Sequence, residues 1–452
     1  MLRRSLPVWV FLSIIACPSA RAQMPFPTHL LPSRTSLERL GLERQFFVVV
    51  PLVETERLLR ISRTESLLFA QTSYAKLHTF DAETGRRLWS VELGERSGFA
   101  RGVASNSWAV FVTNANMLYA LDRGSGRTLW KTNLGTMPTS TPACDESRVY
   151  VGMTNGILMG FQLKRTDAKG NEFIRDVPYP LPSWHAGGAI STRPLPTEKV
   201  LAFGGGDGKV YVAMVSETTI VYRVATGGPI GEGLGAFGTR TLLIPSADYV
   251  LYAFDIITAD HLWSFPSGAP IVQEPLVADQ DIYAINNAGY LSLLDPNNGI
   301  PRWTISTQGG RLAAVSAKKV YLRSYNLDLF VVDRSTGRMV IDPSETHLRA
   351  GLNLRDFDLS DVNRFNDRMF FATSSGLIVG LREAEQVLPR LLRDPKQPPF
   401  GYVPPEGLKP TPPTAPAAEP GTEPAPADAG DAAAPAADKE AVPKEAPANA
   451  PQ

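Results

Sequence analysis

The run Leu118-Tyr119-Ala120-Leu121-Asp122-Arg123-Gly124-Ser125-Gly126-Arg127-Thr128-Leu129-Trp130 reads as two short strands joined by a tight turn. Leu118, Ala120 and Trp130 fall in an alternating apolar pattern, the period-2 mark of a half-buried strand. Asp122 and Gly126 bracket the turn. An Asp carboxylate accepts backbone N–H groups just ahead of it, and Gly takes positive φ without a Cβ clash.

The same arrangement returns along the chain. Asp81 is followed by Gly85 and Trp89, and Asp255 by Trp263. Asp295 leads to Gly299 and Trp303. Asp333 leads to Gly337 and then Val340, where the Trp is lost. Asp81 to Asp122 is 41 residues, Asp255 to Asp295 is 40 and Asp295 to Asp333 is 38. From Asp122 to Asp255 is 133, room for three repeats and an insertion. A period near forty with four short strands per unit predicts an all-β fold, a β-propeller of four-stranded blades.

Blade one covers about residues 58–93 and blade two about 99–134. Blade three starts near Ser140 and has Gln162 where the turn Asp belongs. A polar, Pro-rich insertion, about 164–183, follows it. Blade four contains 200–203 and 210–214. Blades five, six and seven carry the turns at Asp255, Asp295 and Asp333. A second polar insertion, 349–367, precedes two strands of blade eight, 369–372 and 377–381. Blade eight lacks a fourth strand, and the strand at 46–50 lacks a hairpin partner. Joining them gives an eight-bladed ring without open edges, which would otherwise invite aggregation. The count becomes seven if blade three or blade four is misassigned. Residues 36–44 read as one or two helical turns capped by Ser36, and 383–393 as a short helix.

The domain plan is therefore a leader at 1–22, an N-terminal arm with a short helix at 23–45, the propeller at 46–395, and a tail at 396–452. The leader has Arg3 and Arg4, an apolar run at 8–16 and the small-x-small site Ala20-Arg21-Ala22. That run is too short for a membrane span, which takes ~20 apolar residues. Ile14-Ile15-Ala16-Cys17 reads alternatively as a lipidation site with Cys17 as the new N-terminus. Both routes lead out of the cytoplasm, to a periplasm or the outer membrane facing it. The tail is rich in Pro, Ala and Glu and lacks the apolar content that offsets ordering entropy, so disorder is expected.

Lys plus Arg and Asp plus Glu both number 45, a balance that argues against a generic nucleic-acid binder. The chain has two cysteines, Cys17 and Cys144, so leader removal leaves no internal disulfide.

The repeat around Asp122 resembles that of the pyrroloquinoline-quinone-type propellers, whose pattern is Ala-x-Asp-x-x-Thr-Gly-x-x-x-Trp. Thr84-Gly85 and Thr336-Gly337 match its turn. The resemblance spans about 46–381 and implies that the tryptophans dock between neighbouring blades. It covers two groups, quinoprotein dehydrogenases and non-catalytic propellers of the outer-membrane assembly factor BamB type. The dehydrogenases are larger, and many carry adjacent cysteines that this chain lacks. Similarity to the BamB-like group implies a monomeric, periplasmic or outer-membrane-associated scaffold for envelope proteins, with an outer-membrane β-barrel insertase as the most concrete partner. Membrane association is expected only if Cys17 is lipidated. No cofactor or nucleic-acid partner is expected. The alternative is a quinone-cofactor-binding oxidoreductase or ligand sensor that uses the central channel.

Other motifs read as structure. One recurring turn role explains all five aspartates without catalysis or metal binding. Gly233-Leu234-Gly235-Ala236-Phe237-Gly238 matches a dinucleotide motif but precedes strand-like residues, and so reads as an inter-blade loop. Gly204-Gly205-Gly206-Asp207-Gly208-Lys209 reads as a hairpin turn. None of the five histidines has a ligand partner at close spacing. Trp184-His185 with Gly187 and Gly188 is either a packed loop or the lining of a rim pocket.

Overall fold

The structure, a computed structural model, describes residues 30–167, 169–217 and 219–402. The leader, Cys17 and the tail from residue 403 onward lie outside the described residues.

These residues form eight antiparallel sheets, one per blade. Blade one shows the plan, with strands Leu58–Arg63, Leu67–Thr72, Lys76–Asp81 and Arg87–Glu92 in spatial order. Every residue of Leu67–Thr72 is buried, because that strand is covered by a blade on each side. The outer strands Arg87–Glu92 and Thr128–Asn133 alternate, with Trp89 and Trp130 facing in. The apolar core is divided into clusters at successive blade junctions; one joins Phe69 and Trp89 of blade one to Val110 and Leu121 of blade two.

Leu42–Val49 closes the ring. It pairs antiparallel with Leu377–Glu383, from Leu42 opposite Glu383 to Val49 opposite Leu377. Blade eight thus takes its outer strand from the N-terminal side of the chain. The strand begins four residues earlier than the expected 46–50. The helix is correspondingly shorter, Arg34–Glu38, and its cap is Ser33 rather than Ser36. Ser33 Oγ accepts the Ser36 amide at 3.0 Å, and Gly41 at φ 69° turns the chain into the strand.

The first insertion is largely a β-hairpin. Ile157–Thr166 and Glu172–Pro180 stay paired out to Thr166 opposite Glu172. Gln162 supplies no turn carboxylate, and the turn forms farther out, at Asp167. Asp167 Oδ1 accepts the amides of Lys169 at 2.8 Å and Asn171 at 2.9 Å.

The second insertion is less polar in space than in sequence. Leu352, Leu354 and Phe357 are buried with Leu37 and Leu42 between blades seven and eight. A helix not expected from sequence, Pro343–Leu348, leads into it, with Asp342 and Glu345 forming a capping box.

Residues 383–393 are not helical. Pro389 has no amide to donate, and the carbonyls of Gln386 and Val387 are taken by the buried Arg368 guanidinium at 3.1 and 2.7 Å. Residues 384–402 instead run as a strap across several blades. Leu392 bonds Phe365 and Asp279 through the backbone, Arg390 pairs with Asp279 at 2.6 Å, and Phe400 enters the core of blades four and five.

Candidate functional site

The repeat residues meet at the blade junctions. Asp81 Oδ1 accepts the amides of Glu83 and Thr84 and the Thr84 hydroxyl. Asp122, Asp255, Asp295 and Asp333 gather their own turns in the same way. Hydrogen bonds from Ser125 hold the Asp122 carboxyl below the usual range, and those from Ser335 and Thr336 take Asp333 to about 2. Gly85, Gly126, Gly299 and Gly337 close their turns at φ between 69 and 73°.

Each tryptophan reaches toward the next blade's turn. Trp89 Nε1 donates to Arg123 O at 2.9 Å, Trp263 to Pro296 O at 2.8 Å and Trp303 to Arg334 O at 3.0 Å. Their rings lie over Gly126, Gly299 and Gly337, where a Cβ would overlap them. Trp130 faces blade three, which has no such turn, and its buried Nε1 has no hydrogen-bond partner. Phe46 lies over Gly85 at the closure junction.

The second candidate region is the axis of the ring. Arg60, Arg193, Glu232, Glu274, Asp361 and Arg364 line adjoining cavities there. Glu274 Oε1 accepts from Arg193 Nη2 at 2.6 Å. Arg364 Nε lies 3.2 Å from the same oxygen, near enough for charge attraction but off-axis for a hydrogen bond. Asp361 is enclosed by protein even where it meets the channel, and this desolvation raises its carboxyl pKa against the pull of Arg364, Arg60 and Arg63. On the side where each blade's first hairpin turns, the axis widens into a cavity of about 920 Å³, bordered by Arg63, Arg123, Arg393 and Glu146.

The third is the blade-three hairpin, which sequence reasoning reduced to a polar insertion. Phe173, Ile174, Val177 and Tyr179 on it are 45, 49, 73 and 55% exposed. Arg165 lies over the Phe173 ring and Arg175 over Tyr179, at 5.9 and 5.2 Å. The signal available was the β-forming content of the run, Phe173, Ile174, Val177 and Tyr179, masked by Pro178 and Pro180.

The remaining motifs are accounted for locally. Trp184–His185 is a short strand that pairs with Ile157 and Leu158 and adds a fifth strand to blade three; Trp184 is buried and donates to Glu217 O, while Gly187 N, in the loop after it, bonds Asp207 and Tyr211. Gly204–Lys209 is a hairpin turn. The Gly233–Gly238 run is not an inter-blade loop throughout, since Gly235–Phe237 is the inner strand of blade five. His78 is buried against Ser90. Among the described residues no three His, Cys, Asp or Glu side chains are grouped to hold a metal ion. Half-buried Cys144 is a free thiol whose pKa is pushed up by burial. No helix among the described residues is long and apolar enough to cross a membrane.

Four-stranded blades, Asp-to-Gly turns and tryptophans docked on the next blade define a PQQ-like repeat β-propeller with eight blades. The family model described as outer membrane protein assembly factor BamB matches residues 73–212 and 206–386, well over half of the chain. The chain belongs to that family. No curated protein sequence matches it. Among solved structures it is similar to BamB from Moraxella catarrhalis, with 13% identity and a TM-score of 0.59 over 75% of this chain and 97% of that one. The computationally designed Ika8 protein matches at 13% identity and TM-score 0.55, over 72% and 96% of the two chains. Saccharomyces cerevisiae Sqt1 matches at 10% identity and TM-score 0.57, over 75% and 98%. At these identities the structural matches speak to the fold alone.

Proposed function

We propose that the chain is a non-catalytic scaffold of the cell envelope that works on the periplasmic side of the outer membrane, in assembly of outer-membrane proteins, with a β-barrel insertase as partner. Membership of the BamB family, across 73–386, carries this reading. The ring supplies a rigid platform, and binding residues commonly sit on loops and hairpins held by such a platform. On this chain the blade-three hairpin presents that surface, because Phe173, Val177 and Tyr179 are apolar and stand out in solvent. No cofactor enters the proposal. Deletion of the protein is expected to lower the level of outer-membrane barrel proteins and to sensitise the envelope to detergents. Unchanged barrel-protein levels would sink the reading.

A further inference from the structure

Buried arginines in this protein are thoroughly bonded. Arg63 donates to Thr64 O, Glu65 O and Asn366 Oδ1. Arg323 reaches the carbonyls of Leu327, Leu354 and Phe357. Arg368 serves Gln386 O, Val387 O and Asp367, and lies beside Glu83. Leaving such donors without acceptors is costly away from bulk water, so the pattern is the expected one.

Arg60 and Arg311 differ from these in being exposed to the channel rather than buried, which leaves their donors open to a ligand. Arg60 and Arg311 line the cavity on the axis; Arg101 lines neither cavity, but it lies between Ala100, which borders that one, and Gly102, which borders the adjoining one. None of the three has an ion pair or side-chain hydrogen bond among the described residues, and Arg364 Nε, though ion-paired with Glu274, is buried without a hydrogen bond. Five arginines, Arg60, Arg63, Arg193, Arg311 and Arg364, line these cavities against three carboxylates, Glu232, Glu274 and Asp361. Glu274 is already shared by Arg193 and Arg364. Arg60 lies close enough to Arg101 to disfavour its charge, on top of the larger effect of desolvation. Like charges held together in a low-dielectric cleft focus a positive potential on its interior.

We infer that the axial channel is a binding site for a small multivalent oxyanion, held chiefly by Arg60 and Arg311, with Arg101 close beside Arg60. Guanidinium groups present paired N–H donors that fit carboxylate and phosphate oxygens. The arginines come from blades one, two and seven, so an anion with several charged oxygens reaches more of them than chloride does. The cavity at the Arg60 and Arg311 end holds about 300 Å³, the scale of a small metabolite rather than a folded partner. Arg60 and Arg311 stand on inner strands fixed by the blade sheets, so their part of the site is preformed, while Arg101 lies in the loop that leads into blade two. This site is independent of the scaffold reading and survives its failure.

The test is calorimetric titration of the full chain with citrate and, separately, pyrophosphate, with ionic strength held constant by sodium chloride. Saturable binding of citrate assigns a carboxylate ligand, and of pyrophosphate a phosphate ligand. The double variant Arg60→Gln/Arg311→Gln is expected to weaken that binding at least tenfold. Both side chains are exposed to the channel and bond nothing, so the variant should fold. As a second handle, Arg101→Gln should raise the melting temperature of the anion-free protein, by relieving repulsion, and shrink the rise that the anion produces. Absence of saturable binding by both anions overturns the inference. So does unchanged affinity in both variants, which would mark a general salt effect.

Discussion

Phe46 of the N-terminal strand lies over Gly85 of blade one, so near that a Cβ on Gly85 would overlap its ring. Trp89 stands in the same relation to Gly126, Trp263 to Gly299 and Trp303 to Gly337. The closing strand therefore does more than complete a sheet. It brings its own aromatic side chain to the one junction that chain continuity cannot make. Phe370 packs beside Phe46, with ring centroids 6.1 Å apart. Phe46→Ala should cost about 3–5 kcal/mol, the usual range for a buried Phe. Urea denaturation measures the loss. Hydrogen exchange should show Leu42–Val49 opening before the other outer strands, and uniform protection would contradict a special role for this contact.

The turn glycines are constrained twice, by positive φ and by the ring above them. Gly126 has φ 73° and lies under Trp89, whereas Gly135 has φ 76° and open space. Gly135→Ala should cost about 1 kcal/mol, the backbone penalty alone. Gly126→Ala should cost at least twice that, because Trp89 must also move. Equal losses in thermal denaturation would show that the ring adapts freely.

The tryptophans are not equivalent. Trp303→Phe removes a donor from Arg334 O and should cost about 1 kcal/mol beyond the lost packing. Trp130→Phe removes an indole N–H that already has no acceptor, so its cost should be smaller and could reverse in sign. Chemical denaturation of the two variants compares them directly.

Acid should weaken the fold in two windows. His78 is buried, and desolvation, the largest influence, lowers its pKa to about 4, against the attraction of Glu56 and with the help of Lys76 and Arg87. Its neutral form is the folded form. The associated stability is present above the unfolded value near 6.5 and is lost as pH falls toward 4, by up to roughly 3 kcal/mol. His78→Gln should flatten that slope. Below it, the lowered carboxyls of Asp122 and Asp333 contribute stability that is present above about 3.9 and lost as pH falls through their folded values. Melting temperatures between pH 7 and pH 2 give both windows.

Much of the ring was legible because the same local chemistry recurs. Asp122 must gather amides and Gly126 must take positive φ wherever the repeat occurs, so the turns can be read without knowing the neighbours. Closure by 46–50 was legible as an arithmetic need, a blade short of one strand beside a strand short of a partner. The strap at 384–402 was not, because its conformation is fixed by side chains outside it, Arg368 some way upstream and Asp279 on a distant blade. The blade-three hairpin was hidden by Gln162, which deletes the usual turn while Asp167 rebuilds it farther out. The channel was hidden for a different reason. Arg60, Arg101 and Arg311 meet only through the ring's symmetry, and nothing in their own surroundings marks them.

The most direct measurement is photocrosslinking in living cells from a benzophenone amino acid placed at Val177, which is 73% exposed on the blade-three hairpin. The scaffold reading predicts a crosslink to an outer-membrane β-barrel insertase, absent when the probe replaces Gln308, an exposed residue of a blade-six loop. A protein that reaches the periplasm yet gives no envelope crosslink from Val177, or gives the same one from both positions, would contradict it.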